Sequence, residues 1–256
     1  MIGVLGVYFS GTGNTKHCVE AYVKHYDADN RSVSIEEPTV LEQIVAQELL
    51  VIGYPVYFSN APKIMQDFIN ENSCCFNGKQ VFIIATMGLW SGDGAGCAAR
   101  LLKKHGATIL GGLHLKMPDC IGDEKILKKT TEVKKMLIRK ADKKIALAVH
   151  KMKAGTPTRE GIHFFYHMAG LFGQRLWFYN KTTTYKQKPD INKQKCIACG
   201  RCAKLCPMIN ITIESGKAIS HNRCTMCYRC FSHCPAQAIT ILGKNVYEQY
   251  IFETVH

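Results

Sequence analysis

Tyr8-Phe9-Ser10-Gly11-Thr12-Gly13-Asn14-Thr15 sets the architecture of this chain. An apolar run, Ile2 to Phe9, reads as a strand and passes directly into a loop of glycines and hydroxyl side chains, which continues as a helix through about Tyr26. Backbone N–H groups at a helix N-terminus point at an anion, so such a junction suits a phosphate. The glycines let the loop close around it, the Ser and Thr hydroxyls donate further hydrogen bonds, and no cation is required. Other phosphate loops do not fit. A G-x-G-x-x-G run starting at Gly11 needs its third glycine where Lys16 stands, and no G-x4-G-K-[ST] occurs.

Beyond this junction, apolar runs at about 31–35, 48–53, 80–86 and 107–117 alternate with helical segments at about 39–46, 61–72 and 94–105. Ile126, Thr130, Val133, Leu137, Ala141, Ile145 and Ala148 then recur at helical spacing, predicting a last helix over about 123–151 with a lysine-rich solvent face. Repeated strand–helix units imply a parallel sheet covered on both sides. In the doubly wound order 2-1-3-4-5 a ligand lies at the carboxyl ends of the strands, beside the switch point. Two more loops follow strands: Gly53 to Phe58, and the glycine-rich Thr86 to Gly96. The Gly92, Gly94, Gly96 string fails as a dinucleotide loop because its third glycine falls at Cys97.

The run Tyr8 to Thr15 resembles the FMN-phosphate loop of flavodoxins, and the two later loops resemble the isoalloxazine-flanking loops of flavodoxin-like proteins. The resemblance implies an α/β, flavodoxin-like doubly wound five-stranded parallel sheet over residues 1–155. It implies FMN contacts from Ser10, Gly11, Thr12, Gly13, Asn14 and Thr15, from Pro55, Val56, Tyr57 and Phe58, and from Thr86, Met87, Gly88, Trp90, Gly92, Asp93 and Gly94. Tyr57 and Trp90 are the stacking candidates, while Tyr57 and Phe58 equally suit core packing beside a strand end. Met87-Gly88 is the candidate peptide for rotating to meet the reduced flavin N5, although Gly88 reads equally as a turn residue.

The other end of the chain carries one cysteine pattern twice: Cys196, Cys199, Cys202, Cys206 before Pro207, and Cys224, Cys227, Cys230, Cys234 before Pro235. Each reads C-x2-C-x2-C-x3-C-P, a spacing that suits cuboidal iron–sulfur clusters, the fourth cysteine of each run ligating the other cluster. The expected sets are Cys196, Cys199, Cys202 and Cys234 for one cluster, and Cys224, Cys227, Cys230 and Cys206 for the other. Adding 28 also maps Ile211-Thr212-Ile213 onto Ile239-Thr240-Ile241. Zinc sites gather separated C-x2-C pairs instead, and thirteen cysteines with no secretion signal argue against disulfides. Residues 190–241 resemble the bacterial two-cluster ferredoxins, implying a small α+β domain, taken as 186–256, with two 4Fe-4S clusters.

The formal net charge is +13, and nine Lys or Arg stand against Asp190 and Glu214 between 186 and 241. Two clusters contribute about −4, so the module stays basic. That suits an acidic redox protein, such as a ferredoxin, as electron donor. No basic stripe with stacking aromatics marks a nucleic-acid site, and no apolar run has the length of about 20 residues needed to cross a bilayer. The expected compartment is reducing, an anaerobe's cytoplasm.

Between the domains, residues 156–185 form a connector whose aromatic stretch, Gly161 to Tyr179, must bury its rings: as a clamp between domains, as a wall over the flavin, or against a membrane surface. His163 and His167 read as polar edges of that packing. Cys18, Cys74, Cys75, Cys97 and Cys120 lie outside the repeat and read as buried structural cysteines, with Cys97 the one candidate for chemistry.

Taken together, the chain resembles the flavodoxin–ferredoxin fusion proteins of anaerobic bacteria. The resemblance implies electrons passing singly through two clusters to FMN, which makes an FMN-dependent oxidoreductase the first reading. An electron carrier that docks a partner enzyme, with no small-molecule substrate of its own, is the second. An oxygen sensor is a third, with no DNA-binding element in view.

Overall fold

The computed structural model describes residues 3–89, 92–163 and 185–255. Five strands, β1 Val4–Tyr8, β2 Arg31–Ser34, β3 Leu49–Pro55, β4 Gln80–Met87 and β5 Thr108–Lys116, form one parallel sheet in the order β2-β1-β3-β4-β5. Alternation along each strand feeds two cores. Leu50, Ile52, Val81 and Ile83 meet helices α2 (Val40–Val45), α3 (Lys63–Glu71) and α4 (Gly94–Lys104) on one face. Leu49, Val51, Phe82 and Ile84 meet α1 (Asn14–Tyr26) and α5 (Thr131–Lys153) on the other. Burial of both faces explains why these strands read as near-continuous apolar runs.

The last helix begins at Thr131, eight residues later than its spacing predicts. Thr130 caps it, its hydroxyl oxygen accepting from Val133 N–H at 3.4 Å, and Glu132 sits in its first turn. Ile126, counted as an apolar helix position, is 90% exposed. Asp123 lies nearly inaccessible at 1%, and its carboxylate is committed to the C-terminal module, which takes this stretch out of the helix.

That module repeats its backbone as well as its sequence. A short helix α6 (Arg201–Leu205) and its counterpart α7 (Arg229–Ser232) each follow a residue with positive φ. Strand β6 (Asp190–Ile191) pairs antiparallel with β9 (Ile239–Thr240). Strands β7 (Ile211–Glu214) and β8 (Lys217–Ser220) form a hairpin through Ser215 and Gly216, both at positive φ as a two-residue turn requires. Ile211, Ile239 and Ile241 pack into a third core with Phe231, whereas Ile213 stays 38% exposed. Among the described residues no helix is long and apolar enough to cross a membrane. Of the aromatic connector, residues 164–179, including His167, lie outside the described residues. His163, which is described, is exposed, and Ile162 packs against the first core.

Candidate functional site

A cavity of about 1100 Å³, partly open to solvent, lies at the carboxyl ends of the central strands. Ser10, Gly11, Thr12, Asn14 and Thr15 line it from the first loop, Pro55, Val56, Tyr57 and Phe58 from the second, and Thr86, Met87 and Gly88 from the third. Gly13, at φ 98°, turns the loop and donates its N–H to Ser10 Oγ at 3.1 Å. Gly92, Asp93 and Gly94 are not in the lining. Asp93 is fully buried and pairs with Arg100 at 2.7 Å at the head of α4, while the Gly94 carbonyl accepts from the buried Tyr54 hydroxyl. Trp90 lies outside the described residues.

No lysine, arginine or histidine appears among the described residues lining the cavity. An anion there would be held by backbone N–H groups and hydroxyls, which is the donor set a phosphate loop offers. Part of that set is already spoken for. Thr15 and Thr86 share a hydrogen bond at 2.7 Å, and Asn14 bridges the Pro118 carbonyl (2.8 Å) and the Tyr250 hydroxyl (2.6 Å), fixing the loop rather than the ligand. The Met87 carbonyl accepts from Met117 N–H at 2.9 Å, so rotating the Met87–Gly88 peptide would break a sheet bond. Gly88 is glycine for space: a Cβ there would run into the Asp119 carboxylate. Asp119 is the one acid among the described lining residues, and burial pushes its carboxyl above the usual range.

The spare cysteines are arranged differently from the sequence expectation. Cys120, not Cys97, lines the cavity, and burial raises its thiol strongly. Cys97 faces the Ser59 carbonyl at 3.5 Å, Cys18 is fully buried, Cys74 is exposed, and Cys75 is partly so.

The eight repeat cysteines stand around two smaller cavities. Cys196, Cys199, Cys202 and Cys234 line one of about 360 Å³, and Cys206, Cys224, Cys227 and Cys230 line the other, of about 310 Å³. Each gathers three neighbours and one remote cysteine. Among the described residues no three His, Cys, Asp or Glu side chains are placed to hold a single metal ion. Backbone N–H groups are aimed at several sulfurs: Asn210 at Cys206 (3.3 Å), Ala238 at Cys234 (3.4 Å) and Met226 at Cys224 (3.3 Å). The first two are 28 residues apart, so the repeat extends to the sulfur hydrogen bonds that tune a thiolate cluster. Burial pushes Cys224 up to about 12 and Cys227 up to about 11.

The second cysteine set lies against the sheet domain. A Cβ on Gly11 would collide with the Cys227 carbonyl, so this loop glycine serves a close approach between the two modules. Met226 and Tyr228 line the large cavity directly. Arg229 donates to both Glu36 oxygens at 2.7 Å and to the Ser10 carbonyl at 2.8 Å. Asp123 accepts from the Tyr228 hydroxyl (2.8 Å) and from the N–H groups of Ile241, Leu242 and Gly243 (2.6, 2.9 and 3.1 Å). The C-terminal tail returns across the phosphate loop, with Phe252 N–H on the Thr12 carbonyl at 2.9 Å and its ring 4.4 Å from that of His17.

Comparison with known families matches residues 181–239 to the 4Fe-4S dicluster domain. The chain joins a flavodoxin-like domain to a 4Fe-4S domain. The flavodoxin-like assignment stands on the strand order of its sheet, and the 4Fe-4S match supports an electron-transfer role. Solved structures similar to the chain include a flavodoxin from the domain Archaea, at 18% identity and TM-score 0.43, covering 59% of this chain and 99% of that one. A Fusobacterium nucleatum flavodoxin bound to flavin mononucleotide shows 17% identity and TM-score 0.44 over 61% of this chain and 99% of its own. A two-electron reduced Megasphaera elsdenii flavodoxin shows 23% identity and TM-score 0.41, covering 57% and 99%. No curated protein matches the chain.

In the 4Fe-4S domain the basic charge is unevenly placed. Lys193, Lys195, Arg201 and Lys204 are exposed around the Cys196 set, where Ile197 is 65% exposed and Cys199 is open to solvent. Arg229, counted in the sequence with the basic surface, is instead consumed by Glu36 and Ser10 of the flavodoxin-like domain. Sequence reasoning could not find Asp123, Tyr228, Arg229 or the tail as site residues, because the partners named above lie 105 to 240 positions away. The one local signal was Gly11, and it read as a phosphate glycine alone.

Proposed function

We propose that the chain takes single electrons from a low-potential donor through two 4Fe-4S clusters to FMN, for delivery to an acceptor. The observation that carries this reading is the contact between the Cys206, Cys224, Cys227 and Cys230 cavity and the large cavity, where Met226, Tyr228 and the Cys227 carbonyl face the phosphate loop. Clusters supply one-electron transfer, and FMN holds one electron or two, so electrons collected singly can leave as a pair. The loop from Ser10 to Thr15 would hold the phosphate, and the loops at Pro55–Phe58 and Thr86–Gly88 would flank the ring. The Cys196 set, ringed by exposed lysine and arginine, is the port for an acidic donor such as a ferredoxin. The large cavity has no cation in its described lining and is walled by apolar and aromatic groups, which suits a small acceptor better than a protein surface and favours an oxidoreductase over a pure carrier.

The test is composition followed by transfer. Anaerobically purified protein should hold about eight irons and one FMN per chain. Photoreduction of the clusters should then reduce the flavin. Flavin that stays oxidised beside reduced clusters would sink the proposal.

A further inference from the structure

The 28-residue repeat sets up an internal comparison. Ala198 and Met226 have φ of 54° and 58°, Ile209 and Gln237 have 49° and 47°, and Gly200 and Tyr228 have 74° and 58°. All three pairs are 28 apart, so the backbone is copied with its left-handed turns. At the third pair the residues diverge sharply. The first copy uses glycine, the residue for which this conformation is free of strain, and nothing stands within 4 Å of where its Cβ would be. The second copy forces a tyrosine into the same conformation, which strains an L side chain.

Strain retained in one copy and absent from the other calls for a local reason. Tyr228 is 2% exposed, its hydroxyl is held by Asp123 at 2.8 Å, and its ring packs edge-on against Phe231 at 5.3 Å. It also lines both cavities: the one bounded by Cys206, Cys224, Cys227 and Cys230, and the one bounded by the phosphate loop. A glycine here would leave the two sites separated by empty space. We propose that the Tyr228 ring is the partition across which an electron passes from the cluster of the Cys224 set to the flavin. The inference rests on the proposed cofactor content. One electron leaves the reduced cluster, which returns to its oxidised state, and one arrives on the flavin; a low-potential one-electron donor refills the cluster.

Two substitutions separate the ring from its anchor. Tyr228→Phe keeps the ring and drops the bond to Asp123, whereas Tyr228→Gly restores the residue of the first copy and relieves the backbone. With iron and FMN content measured first, so that missing cofactors count against the cofactor assignment and not against Tyr228, the cluster-to-flavin rate is followed after a light flash at saturating FMN. Tyr228→Phe should transfer at close to the parent rate, and Tyr228→Gly should be slower, by as much as about 100-fold, the loss that a misplacement of about 1 Å between reacting partners can cause. The affinity of flavin-stripped protein for FMN, read by fluorescence quenching, should fall in the glycine variant and hold in the phenylalanine variant. Transfer at the parent rate in Tyr228→Gly would overturn the proposal, and so would equal slowing in both variants, which would reduce the tyrosine to an anchor for Asp123. Tyr228→Asn, whose side chain tolerates the left-handed turn, carries the same readout if the glycine variant fails to hold its cofactors.

Discussion

His114 on β5 should couple pH to the Thr86–Gly96 loop. Its Nε2 accepts the Ala95 N–H at 3.2 Å, at the first turn of α4, where the Thr86–Gly96 loop ends. Burial, the dominant cause, lowers the imidazole from 6.5 to about 4; Lys144 adds to this, while Glu160 and Asp93 oppose it. The folded value lies below the unfolded one, so the unfolded chain takes up the proton first. The stabilisation is therefore complete above about pH 6.5 and is lost as pH falls toward 4. A depression of this size corresponds to roughly 3 kcal/mol in full, of which about 2 kcal/mol is lost between pH 7 and pH 5. Protonation also removes the acceptor for Ala95 N–H, so the loop should loosen over the same window. The assay is urea unfolding of anaerobic holoprotein at pH 7 and pH 5, followed by flavin release, for the parent and for His114→Gln. Glutamine can still accept the Ala95 N–H but does not titrate. The parent should lose about 2 kcal/mol more than the variant on acidification. An equal loss in both would refute the assignment, whatever the variant's absolute stability.

Three further outcomes follow from the interface between the domains. Gly11→Ala should push the Cys227 carbonyl away at a cost of about 1–3 kcal/mol, and should alter the spectrum of the Cys224-set cluster while sparing the other; an unchanged spectrum would mean that the contact does not exist in solution. Asp123→Ala strips the partner from one hydroxyl and three backbone N–H groups, and should cost roughly 3–5 kcal/mol in thermal or urea unfolding. Cys206→Ala should disturb the cluster held by Cys224, Cys227 and Cys230, and a spectrum showing loss of the Cys196-set cluster instead would overturn the crosswise sets.

Whatever depends on local period or spacing was readable from the residues. Near-continuous apolar strands between helical segments specified a parallel sheet, and the order β2-β1-β3-β4-β5 is the one expected from that pattern. The C-x2-C-x2-C-x3-C-P spacing suggested two crosswise cysteine sets, and the members of each set line a cavity of their own. The helix boundary at 131 was missed because Ile126 and Thr130 fit the helical spacing, while the competing force, the pull of four donors on Asp123, comes from residues 105 to 120 positions away. Arg229 misled for the same reason: as a lysine-and-arginine count it belongs to a basic surface, yet its partner Glu36 is 193 residues distant. Charge counted along a sequence does not reveal which charges are already paired.

Within the repeat the two copies differ in what surrounds them. Position by position, the first copy faces solvent and the second faces the flavodoxin-like domain: Cys199 is exposed where Cys227 is buried, and Arg201 is exposed where Arg229 clamps Glu36. Surface charge and an exposed isoleucine mark the first copy, while burial, an ion pair and a strained tyrosine mark the copy that packs against the flavodoxin-like domain. Such a gradient suits a conductor with one end open to partners and the other sealed onto a cavity. On the proposed reading, selection by partner charge would act at the Cys196 end, where the exposed lysines and arginines lie.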